Sequence, residues 1–307
     1  MTRLISIGEC MVELSPAGPD LMARRFAGDA YNTAVYFKRA APEAEVQFLT
    51  VTGADPMSLA MRAAWRAEGI DNALAFTLPG RRPALYLIET DATGDRQFHY
   101  WRGESAARAW LQQLQAAGGA AVLAEADLIY VSGISLAILT PEDRAEALAL
   151  LQGVSDAGGR IAFDPNLRPA LWPSLEAARE AFEAAVRFAD ILLPSRQDIE
   201  TLYGEKGSTA QLRLLTALGA REIALTAEGD DALIFDGQVH ALTPPKAQVV
   251  DTSGGGDSFN GAYLAARLHG ASAAEAGVRG LALAARVVEQ PGALIARAER
   301  SSGSAVI

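Results

Sequence analysis

Lysine is scarce in this chain: Lys38, Lys206 and Lys246 are the only three in 307 residues. Arginine supplies the rest of the 27 basic side chains, which face 37 acids for a formal net charge of -10. No face basic enough to hold a polynucleotide backbone is expected, so nucleic acid is excluded as a partner. Cys10 stands alone, which rules out an internal disulfide. His99, His240 and His269 are too scattered for zinc-ligand spacing, and all four of these residues read as structural. No uninterrupted apolar run reaches the roughly 18 residues of a membrane span, so no membrane partner is expected. The N-terminus meets an acid at Glu9 before any signal-peptide apolar region has formed, which points to the cytoplasm.

What is present describes an ordinary globular protein. Half of the residues are hydrophobic, 21% are charged and 7% are aromatic. A chain of 307 residues is close to the upper limit for one hydrophobic core, so one large domain with an appendage is expected. Short apolar runs end at small or polar residues: Leu4 to Ile7, Val46 to Val51, Leu128 to Val131, Arg160 to Phe163, Ile191 to Leu193 and Glu222 to Leu225. They read as buried strands. Between them lie alanine-rich stretches with helical spacing, among them Met57 to Glu68, Pro141 to Gln152, Leu175 to Phe188 and Gln211 to Leu218. Such alternation predicts a parallel sheet with helices on both faces, and ligands beyond the carboxyl ends of its strands.

Two segments depart from the alternation. Leu85 to Thr90 and Arg96 to Arg102 flank Asp91-Ala92-Thr93-Gly94-Asp95, a hairpin signal with no helix between the strands. Cys10 to Leu14 alternates and offers a further strand. A small β lid over the cleft follows, built from about 10–14 and 84–103, with an apolar outer face suited to a second subunit.

The densest signal is Val249-Val250-Asp251-Thr252-Ser253-Gly254-Gly255-Gly256-Asp257-Ser258-Phe259-Asn260-Gly261. It reads as a short strand, three glycines and then an amphipathic helix that starts at Asp257, continues through Ala262 to His269 and is stopped by Gly270. Glycine amides and a helix N-terminus form a pocket for an anion, and Asp257 stands beside it. Such a carboxylate suits proton abstraction from a hydroxyl during phosphoryl transfer. By residue type alone, a tight turn with Asp257 as its helix cap is an equal reading. Neither G-x-x-x-x-G-K-[ST] nor G-x-G-x-x-G occurs in the chain.

The string Asp251 to Phe259 resembles the D-T-x-G-[AG]-G-D-x-F signature of the ribokinase-like, or PfkB, carbohydrate kinases. That resemblance implies a three-layer α/β/α core in a single domain spanning 1–307, with a mostly parallel central sheet. It also implies Asp257 as catalytic base and Gly254, Gly255 and Gly256 as the anion hole. Phe26-Ala27-Gly28-Asp29-Ala30-Tyr31-Asn32 resembles the family's G-G-x-x-x-N sugar motif, with Ala27 in place of the first glycine. Gly28 then leaves room for the sugar while Asp29 and Asn32 contact its hydroxyls; Asp29 equally suits a helix cap.

Within the family, Gly8 to Ser15, Phe98 to Ala107 and Ser132 to Leu139 resemble the corresponding segments of 2-keto-3-deoxygluconate kinases. The implied substrate is an acid sugar, whose carboxylate calls for cationic or strong donors. Arg102 and Arg168 are the candidates, with Tyr86 and Tyr100 beside them; a solvated Arg102 and packed aromatics are the alternatives. ATP and Mg²⁺ are the implied cofactors, and a homo-oligomer formed through the lid is expected. Asn166, Arg168, Ser195, Thr226, Gly229, Gly254 and Gly256 are expected at the nucleotide. Pro194-Ser195-Arg196-Gln197-Asp198 stands where many relatives have N-x-x-E, so Asp198 is expected to meet the metal, directly or through water; an exposed acid in a helix's first turn is the other reading. The expected activity is ATP-dependent phosphorylation of 2-keto-3-deoxygluconate, with a neutral-sugar kinase or a non-catalytic sugar sensor as alternatives.

Overall fold

A computed structural model describes residues 2–18, 20–90 and 96–297. In chain order the strands are β1 (Arg3–Ile7), β2 (Met11–Gly18), β3 (Leu21–Ala27), β4 (Glu45–Thr52), β5 (Ala75–Thr77), β6 (Leu85–Thr90), β7 (Arg96–Trp101), β8 (Leu128–Ser132), β9 (Ile161–Asp164), β10 (Ile191–Leu192), β11 (Glu222–Leu225), β12 (Ala232–Phe235) and β13 (Val239–Leu242). The helices are α1 (Asp29–Ala40), α2 (Pro56–Ala67), α3 (Trp110–Ala116), α4 (Ala120–Leu123), α5 (Gly133–Ala137), α6 (Pro141–Asp156), α7 (Leu175–Phe188), α8 (Arg196–Tyr203), α9 (Ser208–Ala217), α10 (Gly255–Leu268) and α11 (Ala273–Val288).

Nine strands form one sheet in the order β13-β12-β11-β10-β9-β8-β1-β4-β5, parallel except for β12, which pairs antiparallel with both β11 and β13. Strand alternation separates the two faces of this sheet. Ile5 and Ile7 of β1 join Ile129, Val131, Ile161 and Phe163 beneath α3, α6 and α7, whereas Leu4, Leu128, Tyr130 and Ala162 face α1, α2 and α10. Both faces are therefore dry, which is why these strands read as continuous apolar runs. Local chemistry sets the helix starts: Ser174 caps α7 through Ala177 N, and Asp55 caps α2 with Pro56 at its first position.

A second sheet has the order β3-β2-β6-β7. β6 and β7 pair antiparallel with Tyr86 opposite Tyr100, and β2 lies parallel to β6. The expected turn, residues 91–95, lies outside the described residues. β3 is an addition to the sequence expectation, pairing Ala27 with Met11 and Arg25 with Glu13. Its two adjacent arginines hide the alternation.

The segment around Val249 and Val250 corrects the expectation of a strand before the glycines. Both side chains are exposed, and Val250 N and Asp251 N donate to Val288 O at the end of α11. α10 begins at Gly255, two residues before the expected start at Asp257, with Gly254 as N-cap. It crosses α1 at Gly261, where a Cβ would lie 2.7 Å from Thr33 O and Phe37 N.

Candidate functional site

The parallel strands deliver their polar ends to one edge. Asp164 ends β9, Ser132 ends β8, Glu9 follows β1, and Ser195 and Thr226 follow β10 and β11 in a parallel bridge. α10 points its N-terminus at this edge. The first α-helical hydrogen bond is Ser258 N to Gly254 O, which leaves the amides of Gly256 and Asp257 without a carbonyl one turn earlier in the helix. Gly254 adopts φ +74°, and a Cβ there would stand 2.4 Å from Ala293 O. Only glycine fits this corner. At Gly256 a Cβ would meet open space.

Asp257 is the third residue of α10, so the helix-cap reading gives way to Gly254. Its Oδ2 accepts a hydrogen bond from Asn32 Nδ2 at 2.8 Å. Burial, followed by the charge of Asp29, pushes its pKa up to about 7, against the opposing pull of the Asn32 hydrogen bond and the Arg168 charge. A carboxyl poised near neutrality is suited to take a proton.

Asp29 likewise is not a cap: Gly28 is the N-cap of α1, and Asp29 Oδ2 accepts from Asn166 Nδ2 at 3.0 Å. Gly28 has no room for a side chain, since a Cβ would lie 2.2 Å from Glu9 O. Ala27, the departure from the glycine pair, packs with Tyr86, Ile88 and Ala293. Asn166 holds a left-handed φ of 33° and donates its amide to Asp164 Oδ1.

Three buried residues outside the predicted site set support this group, and of these sequence reasoning marks only Asp164, as a polar strand end. Asp164 Oδ2 accepts from Tyr130 Oη at 3.1 Å and from Asn260 Nδ2 at 2.8 Å. Burial and then the charges of Asp198, Asp29 and Asp257 push Asp164 well above the usual carboxylate range. Asn260 had a signal available, because it lies three residues after Asp257 on one helix face.

Asp198 is buried, against the reading of an exposed acid. The carboxylate expected at a metal is occupied by protein: Oδ1 accepts from Leu167 N at 2.8 Å, and Oδ2 from the amide and hydroxyl of Ser195 in a capping box. Among the described residues no three His, Cys, Asp or Glu side chains are arranged to hold a metal ion. Asp198 thereby fixes the 165–168 turn that carries Arg168. Arg168 Nη1 donates to Leu167 O, and among the described residues it makes no ion pair. Thr226 joins Ser195 through its backbone, donating to Pro194 O and accepting from Arg196 N. Gly229, at φ +71°, turns the next loop and lines an open groove of about 690 Å³ with Arg196, Lys206 and Ser208.

The lid residues are assembled differently from expectation. Tyr86 is buried and its hydroxyl donates to the equally buried Glu13. Tyr100 is half exposed, its ring 5.7 Å from that of Tyr86. Arg102 is not a solvated rim charge: it is largely buried and ion-paired with Glu9 at 2.5 Å.

The sequence profile of the pfkB family carbohydrate kinases matches residues 1–299. The chain belongs to this family. Among its pfkB-family relatives, 2-dehydro-3-deoxygluconokinase of Dickeya dadantii is 42% identical over 296 residues, covering 94% of this chain and 95% of the relative. The fold matches the crystal structure of 2-dehydro-3-deoxygluconokinase from Thermotoga maritima with a TM-score of 0.84 at 20% identity, over 96% of both chains. It also matches a putative ribokinase II of Escherichia coli in complex with ATP and Mg²⁺, with a TM-score of 0.82 at 20% identity, over 95% of this chain and 94% of that one. A pfkB-family kinase is an enzyme of phosphoryl transfer to a sugar. No described helix is long and apolar enough to cross a membrane.

Proposed function

We propose that this pfkB-family enzyme transfers the γ-phosphoryl group of ATP to the 6-hydroxyl of 2-dehydro-3-deoxygluconate, the 2-keto-3-deoxy acid sugar, releasing ADP and a proton. The observation that carries the reading is Asp257: a carboxyl with its pKa pushed up to about 7 at the N-terminus of α10, in the field of the Arg168 cation. Asp257 takes the proton of the attacking hydroxyl while Asn32 Nδ2, donating to Oδ2, holds the carboxylate in place. The amides of Gly254, Gly256 and Asp257 stabilise the charge of the transferring group, whereas Gly255 N donates to Thr252 O and shapes the turn. Asp29 and Asn32 orient hydroxyls from α1, Tyr86 and Tyr100 close the sugar from the lid, and Arg168 supplies the cation for the carboxylate. Asn166, Ser195, Thr226 and Gly229 border the nucleotide side.

Mg²⁺ bound with the nucleotide would neutralise phosphate charge; Asp198, with both oxygens occupied by protein donors, does not fit as a direct ligand. Lid closure excludes water from the phosphoryl group. Exposed Leu21, Met22, Phe98 and Trp101 give the lid sheet an apolar surface suited to a second copy of the chain. The reaction is placed in the cytoplasm, where ATP is made and used.

A coupled ADP-release assay over a panel of acid and neutral sugars tests the reading. We expect kcat/KM for 2-dehydro-3-deoxygluconate to exceed that for fructose or ribose by at least about 100-fold. Preference for a neutral sugar overturns the substrate, and no turnover with any sugar favours the sensor reading.

A further inference from the structure

Two buried polar atoms at the root of the lid have no hydrogen-bond partner, Oε1 of Glu9 and Nε of Arg102. They belong to one ion pair. Arg102, one residue beyond β7, reaches Glu9 Oε2 through an amino nitrogen at 2.5 Å, with the two side chains 12% and 1% exposed. The guanidinium carbon also lies 5.8 Å from the centroid of the Tyr100 ring. Glu9 stands on the connection from β1 to β2, and its carbonyl is the atom that leaves Gly28 no room for a side chain.

Stability gives no account of this pair. Burying two charges costs more than one end-on contact returns, and a two-bond fork would satisfy both orphaned atoms. Position and charge balance do give one. Arg168 makes no ion pair among the described residues, whereas the charge of Arg102 is cancelled within the protein.

Building on the acid-sugar reading above, we propose that Glu9 is a positioning residue that sets substrate specificity. It anchors the Arg102 guanidinium at the lid root and neutralises it, so Arg102 offers the sugar hydrogen-bond donors while Arg168 alone offers net positive charge. An acid sugar then meets one cation that no carboxylate among the described residues holds in an ion pair.

The test is a double-mutant cycle on the full-length enzyme, reading kcat and KM for 2-dehydro-3-deoxygluconate and for fructose. Glu9→Gln keeps the shape and one acceptor but uncovers the Arg102 charge. The acid-to-neutral ratio of kcat/KM is expected to rise about fivefold or more, through KM for the acid sugar. In an Arg102→Ala background the same Glu9→Gln change moves that ratio by less than about twofold. An equal effect in both backgrounds, or an unchanged ratio in Glu9→Gln, overturns the proposal.

Arg102→Lys guards against a Glu9 variant that does not fold. It keeps a cation for Glu9 but loses the planar fork, so KM rises for both sugars and the ratio stays within about twofold. A fall of about tenfold or more in the ratio makes Arg102 the carboxylate's own cation and overturns the proposal. Wild-type enzyme that turns over fructose but no acid sugar overturns the substrate reading and this inference together, and shows it before any variant is made.

Discussion

Asn32 Nδ2 donates to Asp257 Oδ2 at 2.8 Å, joining two residues 225 positions apart in the chain. The bond favours the ionised carboxylate, whereas the charge of Asp29 disfavours it. These opposed effects predict opposite shifts in a pH profile. Wild-type kcat/KM should rise with pH around a midpoint near 7, because only ionised Asp257 accepts a proton. Asn32→Ala moves the midpoint to higher pH and Asp29→Asn moves it to lower pH. Both residues also border the sugar, so the position of the limb is read and not its height. A limb that stays in place in both variants removes Asp257 as the titrating group.

Asp257→Asn should lower kcat by about 10²- to 10⁴-fold while the sugar KM changes little. The same variant has a stability signature. Folding raises the pKa of Asp257, so the associated stability is complete below its ordinary value of about 4 and is lost as pH rises through about 7. Asparagine cannot ionise. Calorimetry should therefore find Asp257→Asn melting above wild type at pH 8, by about 2 °C or more, with the gap closing toward pH 5. A variant that melts lower at both pH values contradicts the burial penalty.

Gly254→Ala and Gly256→Ala separate two demands on the anion hole. At Gly254 the left-handed backbone and Ala293 O oppose any Cβ, so the variant should melt lower and lose about 10²-fold or more in kcat. At Gly256 the Cβ enters open space, so Tm should hold while the nucleotide KM rises. Equal melting temperatures for the two variants would contradict the packing of Gly254 against the 291–295 loop.

Arg168→Ala should reduce kcat/KM for the acid sugar by about 100-fold, and for a neutral sugar by less than about fivefold. It also removes a cation that holds the Asp257 pKa down, so the limb of the pH profile moves upward. Parallel losses for both sugars would leave Arg168 with no part in charge recognition.

The layered core was legible because burial on both faces leaves its mark on neighbouring residues. Leu4 to Ile7 and Leu128 to Val131 have apolar runs that only a doubly covered strand would show. β3 was not, since Arg24 and Arg25 occupy consecutive positions of a strand that is largely open to solvent. At the site, Asp257 and Asn32 were readable from short strings. Asp164 was readable only as a polar strand end and its partner Asn260 was not singled out, because their contact spans 96 positions that no local pattern encodes. Glu9 illustrates the same limit. Its string was legible, but its partner Arg102 lies 93 positions away, and burial reverses the role that an arginine on a lid suggests.

The crossing of α1 and α10 at Gly261 has a consequence for synthesis of the chain. Ala30, Ala34 and Phe37 of α1 share a core with Phe259 and Leu264 of α10, and Tyr36 Oη donates to Ala293 O. At about 5–20 residues per second, the ribosome needs on the order of 10–50 s between releasing the first helix and releasing the second. Throughout that interval the nascent polypeptide holds an uncovered apolar ridge near its beginning and has no base. The α1 surface that packs on α10 stays open until α10 is made.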